Sequence, residues 1–210
     1  MKQASRSPGT ERAPLSAERI HAAALELADE VGIEALSMRR LAAGLGVDPM
    51  SIYHHVPNKQ ALLQAVYQRV LEELPIPRMG AGGWQSALRE LARRFHALAR
   101  RHPRVVPALL ASRYGTPRER EVYAAIDRVL ERAGFDPGER LRLARAIFTY
   151  ATGLAGVAAS GLGLRPLYQP AAARGADTVP QHAGAESAAD LEFSIDLMIA
   201  GIELLARRRA

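Results

Sequence analysis

The chain has 210 residues, 48% of them hydrophobic and 24% charged, with a formal net charge of +6 and no cysteine. That size and composition suit a globular chain burying a real core in one domain or two small ones, and they exclude disulfides and thiolate metal sites. No apolar run approaches the ~20 residues of a membrane span and the polar N-terminus lacks a signal-peptide core, so a cytoplasmic protein is expected.

Residues 1–14 are polar, proline-bearing and aperiodic, which predicts a disordered arm. Its Lys2, Arg6 and Arg12 are either a solvated tail or a basic arm in a minor groove. Ser16 predicts the cap of a first helix, with Glu18 in the first turn where the helix dipole favours an acid. Ile20, Ala24, Leu27 and Val31 then share one face, and Gly32 closes the helix. Ser37 caps a second helix with Leu41 and Leu45 one turn apart; small Ala42, Ala43 and Gly44 leave room for a neighbour. Gly46 supplies the residue that takes positive φ, and Asp48-Pro49 starts a third helix with an acidic cap and proline at the first position. Val56-Pro57 stops it, because the residue before a proline is pushed out of the α region.

A helix spanning only residues 50–55 is not stable alone. Ile52 and Val56 are its apolar anchors, which leaves Pro49, Met50, Ser51, Tyr53 and His55 outward. One helix packed as a brace and a second presented N-terminus first is the design of a DNA-reading helix–turn–helix. The same string also suits an ordinary helical corner. Between residues 37 and 71, Arg39, Arg40, Lys59 and Arg69 face only Asp48, a local positive patch able to neutralise phosphates. The overall basicity says less, since residues 1–74 hold 8 Lys/Arg against 9 Asp/Glu while 89–145 hold 14 Arg against 7 acids.

Asn58 caps a fourth helix to about Leu74 with two apolar stripes, Leu62, Val66, Val70 and Leu63, Tyr67, Leu71, Leu74. A helix apolar on two sides is covered on two sides, so it should connect a head to a body. Residues 75–83 read as a linker. Trp84 opens a fifth helix with Leu88, Leu91, Phe95 and Leu98 inward and Arg93, Arg94, Arg100 and Arg101 outward, ended by His102-Pro103. A short segment, residues 105–112, is broken by Pro107, and Pro117 to Ala133 is helical with Val122, Ile126, Val129 and Leu130 inward. Asp136-Pro137-Gly138-Glu139 is a strong start signal for an eighth helix reaching about Leu162. Its small-residue face, including Gly153 and Gly156, suits either a subunit interface or close packing within one chain. Residues 163–187 read as a long loop. The last helix, about 187–208, carries Leu191, Ile195, Met198, Ile202 and Leu205 as a seam for a partner helix.

The run from Leu41 to Lys59 follows L-A-x-x-L-G-V-x-x-x-[ST]-[IL]-Y-x-H-[FV]-x-[ND]-K nearly position by position. It resembles the signature of TetR-family transcriptional regulators, and the likeness extends from Ile20 to about Leu74. Downstream, the helical layout and IFTYATG near Thr149 resemble a tetracycline-repressor-type C-terminal domain. The resemblance implies an all-α fold: an arm over 1–14, a three-helix DNA-binding head over 15–60, and a helical effector-binding and dimerisation body over 61–210 with a connector over 61–74. It further implies a homodimeric repressor, released from double-stranded operator DNA by a small-molecule effector, with no cofactor, metal or membrane partner.

Carried onto this chain, the base-reading positions of that family fall at the start of the second and third helices. Arg39 is then the first choice for a base contact, with Pro49 and Met50 against thymine methyls or pyrimidine edges, and Met38 beside them. Ser37, Ser51, Tyr53, His55 and Lys59 are expected to hold phosphates. Proline and methionine replace the polar residue that heads the reading helix in other family members, so the operator sequence does not follow from the motif. The effector-pocket candidates are Trp84, Phe95, His96, Tyr114, Tyr123, Phe148, Tyr150 and Thr152, each equally suited to an ordinary core. The segment LLASRYGTP lacks the histidine that a tetracycline repressor proper uses for its drug–magnesium complex, which argues against that effector and for an apolar or amphipathic one. Two rivals remain: a helical ligand-binding protein or enzyme with an incidental helix–turn–helix, and an architectural DNA protein. No paired carboxylates, metal motif, phosphate loop or nucleophile–base signature supports an enzyme.

Overall fold

The computed structural model describes residues 14–77, 82–110, 114–160 and 188–208, and they are helical throughout, with α1 Ala17–Val31, α2 Met38–Leu45, α3 Pro49–Tyr53, α4 Lys59–Glu72, α5 Gly83–Arg101, α6 Val106–Leu110, α7 Pro117–Arg132, α8 Pro137–Ser160 and α9 Ala188–Arg207. The expected arm up to residue 13 and the long loop before the last helix lie outside the described residues, as do residues 78–81 of the linker.

Local signals set the helix ends. Ser16, Ser37, Asp48, Asn58 and Thr116 each accept a hydrogen bond from a backbone N–H of the turn they cap. At α8 the capping is reciprocal: Asp136 Oδ1 accepts from Glu139 N at 3.0 Å and Glu139 Oε2 from Asp136 N at 3.1 Å. Gly46 sits at φ 68°, the left-handed conformation that turns α2 into α3.

The head is α1 packed on α2 and α4, with α3 held on α2. Ile20, Ala24, Leu41, Ile52, Val56, Leu62 and Val66 are its most deeply buried apolar residues. The inward face of α1 is Ile20, Ala24, Leu25 and Ala28, whereas the expected Leu27 is half-buried and Val31 exposed. Only Ala42 of the small residues on α2 is covered; Ala43 and Gly44 face outward and no other atom lies within 4 Å of where a Cβ on Gly44 would be.

As expected from its two stripes, α4 is shared: it packs on α1 in the head and on α6 and α7 in the body. Within the body, α5 meets α6, α7, α8 and α9, and α8 meets α6 and α7. Pro107 does not break its segment. It lies in the first turn of α6, where a missing N–H costs nothing. α9 is stitched to α5 by Gln85–Glu203, Arg89–Asp196 and Arg93–Glu192, a ladder that ascends one helix as it descends the other, so the pair is antiparallel.

Candidate functional site

Three elements position the outward surface of the head. α3 has five residues, so the fold must hold it: Asp48 Oδ1 accepts from Met50 N at 2.8 Å, and fully buried Ile52 and nearly buried Val56 anchor the other side. Met50 is then 64% exposed and Tyr53 43%, with Pro49 and Ser51 half-buried and His55 exposed. Arg39 is exposed in the first turn of α2, and Lys59 opens α4, its Nζ 3.5 Å from the Glu34 carbonyl. Ser37 Oγ accepts from Arg40 N at 3.2 Å, which leaves its hydroxyl proton to donate elsewhere. Met38 departs from expectation. It is 8% exposed and belongs to the head's core, packed among the buried apolar residues rather than presented outward.

The body holds a cavity of about 80 Å³ lined from α4, α5, α7 and α8, with Leu110 of α6 and Met198 of α9. Of the eight aromatic and polar candidates, Phe95, Tyr123, Phe148 and Tyr150 line it. Trp84, His96, Tyr114 and Thr152 do not: Trp84 packs on the core, His96 is buried elsewhere, Tyr114 rests on Tyr67 with ring centroids 5.2 Å apart, and Thr152 Oγ1 donates to the Phe148 carbonyl at 2.8 Å. Sequence reasoning missed Tyr67, Leu71 and Leu74 as lining residues, although they are the second stripe of α4, and it missed Glu119. The T-x-x-E spacing of Thr116 and Glu119 was the available signal.

Arg118 joins the cavity to the head. Its Nε donates to the Leu71 carbonyl at 3.2 Å and its Nη2 to the Leu74 carbonyl at 2.6 Å, so a cation on α7 caps the C-terminal end of α4. On the opposite side, His102 is 5% exposed and lies between carboxylates from two units. Its Nδ1 is 2.8 Å from Asp29 Oδ2 on α1 and its Nε2 is 3.2 Å from Glu73 Oε2 at the end of α4. Both ring nitrogens donate only in the imidazolium form. Burial pushes the Glu73 carboxyl up, but hydrogen bonds from Arg101 and His102 and their charges outweigh it and hold the group below its ordinary value. His21, in a groove that also takes in His55, Thr116 and Pro117, is pushed down by burial and by Arg69, against a smaller opposing effect of Glu18.

The expected dimer seam is occupied within the chain. Leu191, Ile195 and Ile202 are buried, Met198 lines the cavity, and Leu205 is 44% exposed. Besides Leu205, the large apolar residues that α9 turns outward are Phe193, Leu197 and Leu204. Gly153 is exposed and Gly156 half-buried, and among the described residues nothing beyond their own helix lies within 4 Å of a Cβ on either.

The architecture is therefore a helix–turn–helix head and a cavity-bearing helical body sharing one connector helix. Residues 20–66 match the bacterial regulatory proteins of the tetR family, and residues 76–206 match the tetracyclin repressor-like C-terminal domain. The chain belongs to the TetR family. It is 47% identical over 90 residues to the HTH-type transcriptional repressor DrrR1 of Streptomyces coeruleorubidus, a match covering 42% of this chain and 33% of that protein. It is 32% identical over 155 residues to the class E tetracycline repressor protein of Escherichia coli, covering 67% of each. The chain thus spans only about a third of DrrR1 and 39% of the class D tetracycline repressor, which it matches over 86 residues. Among solved structures, apo ActR from Streptomyces coelicolor is 26% identical with a TM-score of 0.75, covering 95% of this chain and 100% of that one. ActR in complex with (S)-DNPA has a TM-score of 0.72 at 26% identity, covering 92% and 100%.

Proposed function

We infer that this chain is a sequence-specific DNA-binding transcriptional regulator, a cytoplasmic homodimeric repressor that leaves its operator when a small molecule enters the body. It acts by binding alone, without catalysis. The domain division behind this reading is a head over 15–60 and a body from 61 onward, with α4 as the shared lever.

One observation carries the reading. Leu62, Val66 and Val70 of α4 are buried, and the helix packs on α1 of the head, while Tyr67 and Leu71 of the same helix and Leu74 just past its end line the cavity. A guest that widens the cavity pushes on the helix that carries the reader. A drug-sized ligand needs roughly 300–1,000 Å³, and about 80 Å³ is open here. The walls must move for such a ligand to enter, and the form with displaced walls is the one it stabilises. Arg118, bonded to the last carbonyls of α4, transmits that motion from α7. A differential affinity of about 1–3 kcal/mol between the two forms is the usual scale of such coupling.

On the duplex, α3 lies in the major groove with Pro49 and Met50 on base edges and Arg39 reaching a guanine. Ser37, Ser51, Tyr53, His55 and Lys59 hold phosphates, fixing register. Two heads reading half-sites about one turn apart supply the affinity that one five-residue reader lacks. In vitro selection from random duplexes tests the whole reading: enrichment of a two-fold-symmetric site supports it, and binding that never exceeds a random competitor overturns it.

A further inference from the structure

We propose that the cavity selects an aromatic, positively charged guest, an organic ammonium ion on a flat apolar body, and that Glu119 is the group that receives the charge. This rests on reading the cavity as the effector site and names the chemistry it takes.

Glu119 is the third residue of α7, 6% exposed, and is the only carboxylate among the residues lining the cavity, which include no Arg, Lys or His. One hydrogen bond to its carboxylate and one from its backbone fix it from one side. Its Oε2 accepts from Gly115 N at 2.7 Å, and its own N donates to Thr116 Oγ1 at 3.1 Å. In the usual capping box the glutamate reaches back to the N–H of the capping residue itself. Here it reaches one residue further, to Gly115, whose φ of 63° turns that N–H toward it. A structural cap alone explains Oε2. Among the described residues Oε1 has no hydrogen-bond partner, and no cation compensates the charge inside the cavity.

Leaving an anion in an apolar enclosure is unfavourable unless something pairs with it. The first turn of α7 supplies part of that support, because the helix dipole is positive there. A guest ammonium supplies the rest, accepted by Oε1. The other walls point to the same chemistry: Tyr67, Phe95, Tyr123, Phe148 and Tyr150 place aromatic rings around the space, and ring faces attract cations while accommodating flat apolar bodies. A carboxylate guest would meet Glu119 with like charge and is excluded. Glu119 also follows Arg118, the residue bonded to the end of α4, so a charge bound there acts one residue from the clamp on the connector.

The test uses the full chain and two naphthalene probes of nearly equal shape, 2-(1-naphthyl)ethylamine, charged at neutral pH, and 2-(1-naphthyl)ethanol, which is not. Their shared body cancels the cost of widening the cavity, and fluorescence anisotropy reads each affinity. The amine should bind about tenfold more tightly than the alcohol, the scale of one charge-assisted hydrogen bond. Glu119→Gln, which keeps an acceptor for Gly115, should remove that preference while leaving alcohol binding within about twofold. Equal affinities in the unmodified chain overturn the proposal without any variant and leave the cavity reading standing. A Glu119→Gln variant that keeps the preference also overturns it. If neither probe binds, both the cavity reading and the proposal fail.

Discussion

Arg39 and Lys59 each stand in the first turn of a helix on the head, yet their chemistry on a duplex differs. Arg39 is exposed, carries a planar fork and matches guanine O6 and N7 bidentately. Lys59 is a point charge in the first turn of α4, and on the proposed reading it holds a phosphate and carries no base information. Arg39→Ala should therefore cost about 1–3 kcal/mol on the operator and relax the requirement at one base pair. Lys59→Ala should weaken every sequence alike and flatten the salt dependence by about one charge. Competition binding on a panel of single-base operator variants separates them; a uniform loss for both would end the division of roles. Met38, one residue before Arg39, belongs to neither class. Its side chain is in the core, so truncating it should lower the melting temperature and leave base preference unchanged.

At the scale of elements, the junction between head and body is built from charges that meet only in the folded chain. Asp29 on α1, Glu73 at the end of α4 and His102 after α5 are far apart in sequence, and Arg104 adds a hydrogen bond to the Glu30 carbonyl. Glu73 is held below its ordinary value of 4.5, so the unfolded chain takes up its proton first as pH falls. Its contribution to stability is present above 4.5 and is lost as pH drops through the depressed folded value. His21 is held below 6.5, so its contribution is likewise present above 6.5 and lost on acidification. Urea unfolding across this range should show stability falling as pH falls, with Glu73→Gln flattening only the limb below 4.5. An unchanged limb in that variant would show that Glu73 carries no such linkage.

The same elements show what the sequence could reveal. Ser37, Gly46, Asp48 and Asn58 fix the helix ends through bonds within four residues, and those were readable, as was the two-sided burial of α4. Met38 was misplaced because a motif position does not state which way a side chain points. The His102 junction was invisible because each member is an ordinary surface residue until three helices meet. Periodicity gave the inward faces of α5, α7 and α8 but could not separate the candidates that border the cavity, Phe95, Tyr123, Phe148 and Tyr150, from the four that do not.

For the proposed homodimer, the question is which surface a second copy covers. α9 is fixed on one side by its ladder to α5 and by buried Leu191, Ile195, Ile199 and Ile202. The opposite side shows Phe193 at 71% exposure, Leu197 at 66% and Leu204 at 54%, spaced so that all three share a stripe. Apolar side chains concentrated in this way on a helix whose inner face is already satisfied mark an association surface rather than unused core. On α8, the open backbone at Gly153 and Gly156 offers a place where a partner helix can approach closely. Replacing Phe193 and Leu197 together with Asp leaves Asp196 and Glu192 to hold α9, so the fold should survive while the stripe loses its character. Sedimentation equilibrium should then give a monomer, and circular dichroism an unchanged helix content. Affinity for a two-half-site operator should fall by about 10²–10⁴-fold, the gain that linking two heads provides, whereas a single half-site should bind as before. A double variant that remains a dimer would place the interface elsewhere, and one that falls apart yet keeps full operator affinity would mean that a single head suffices.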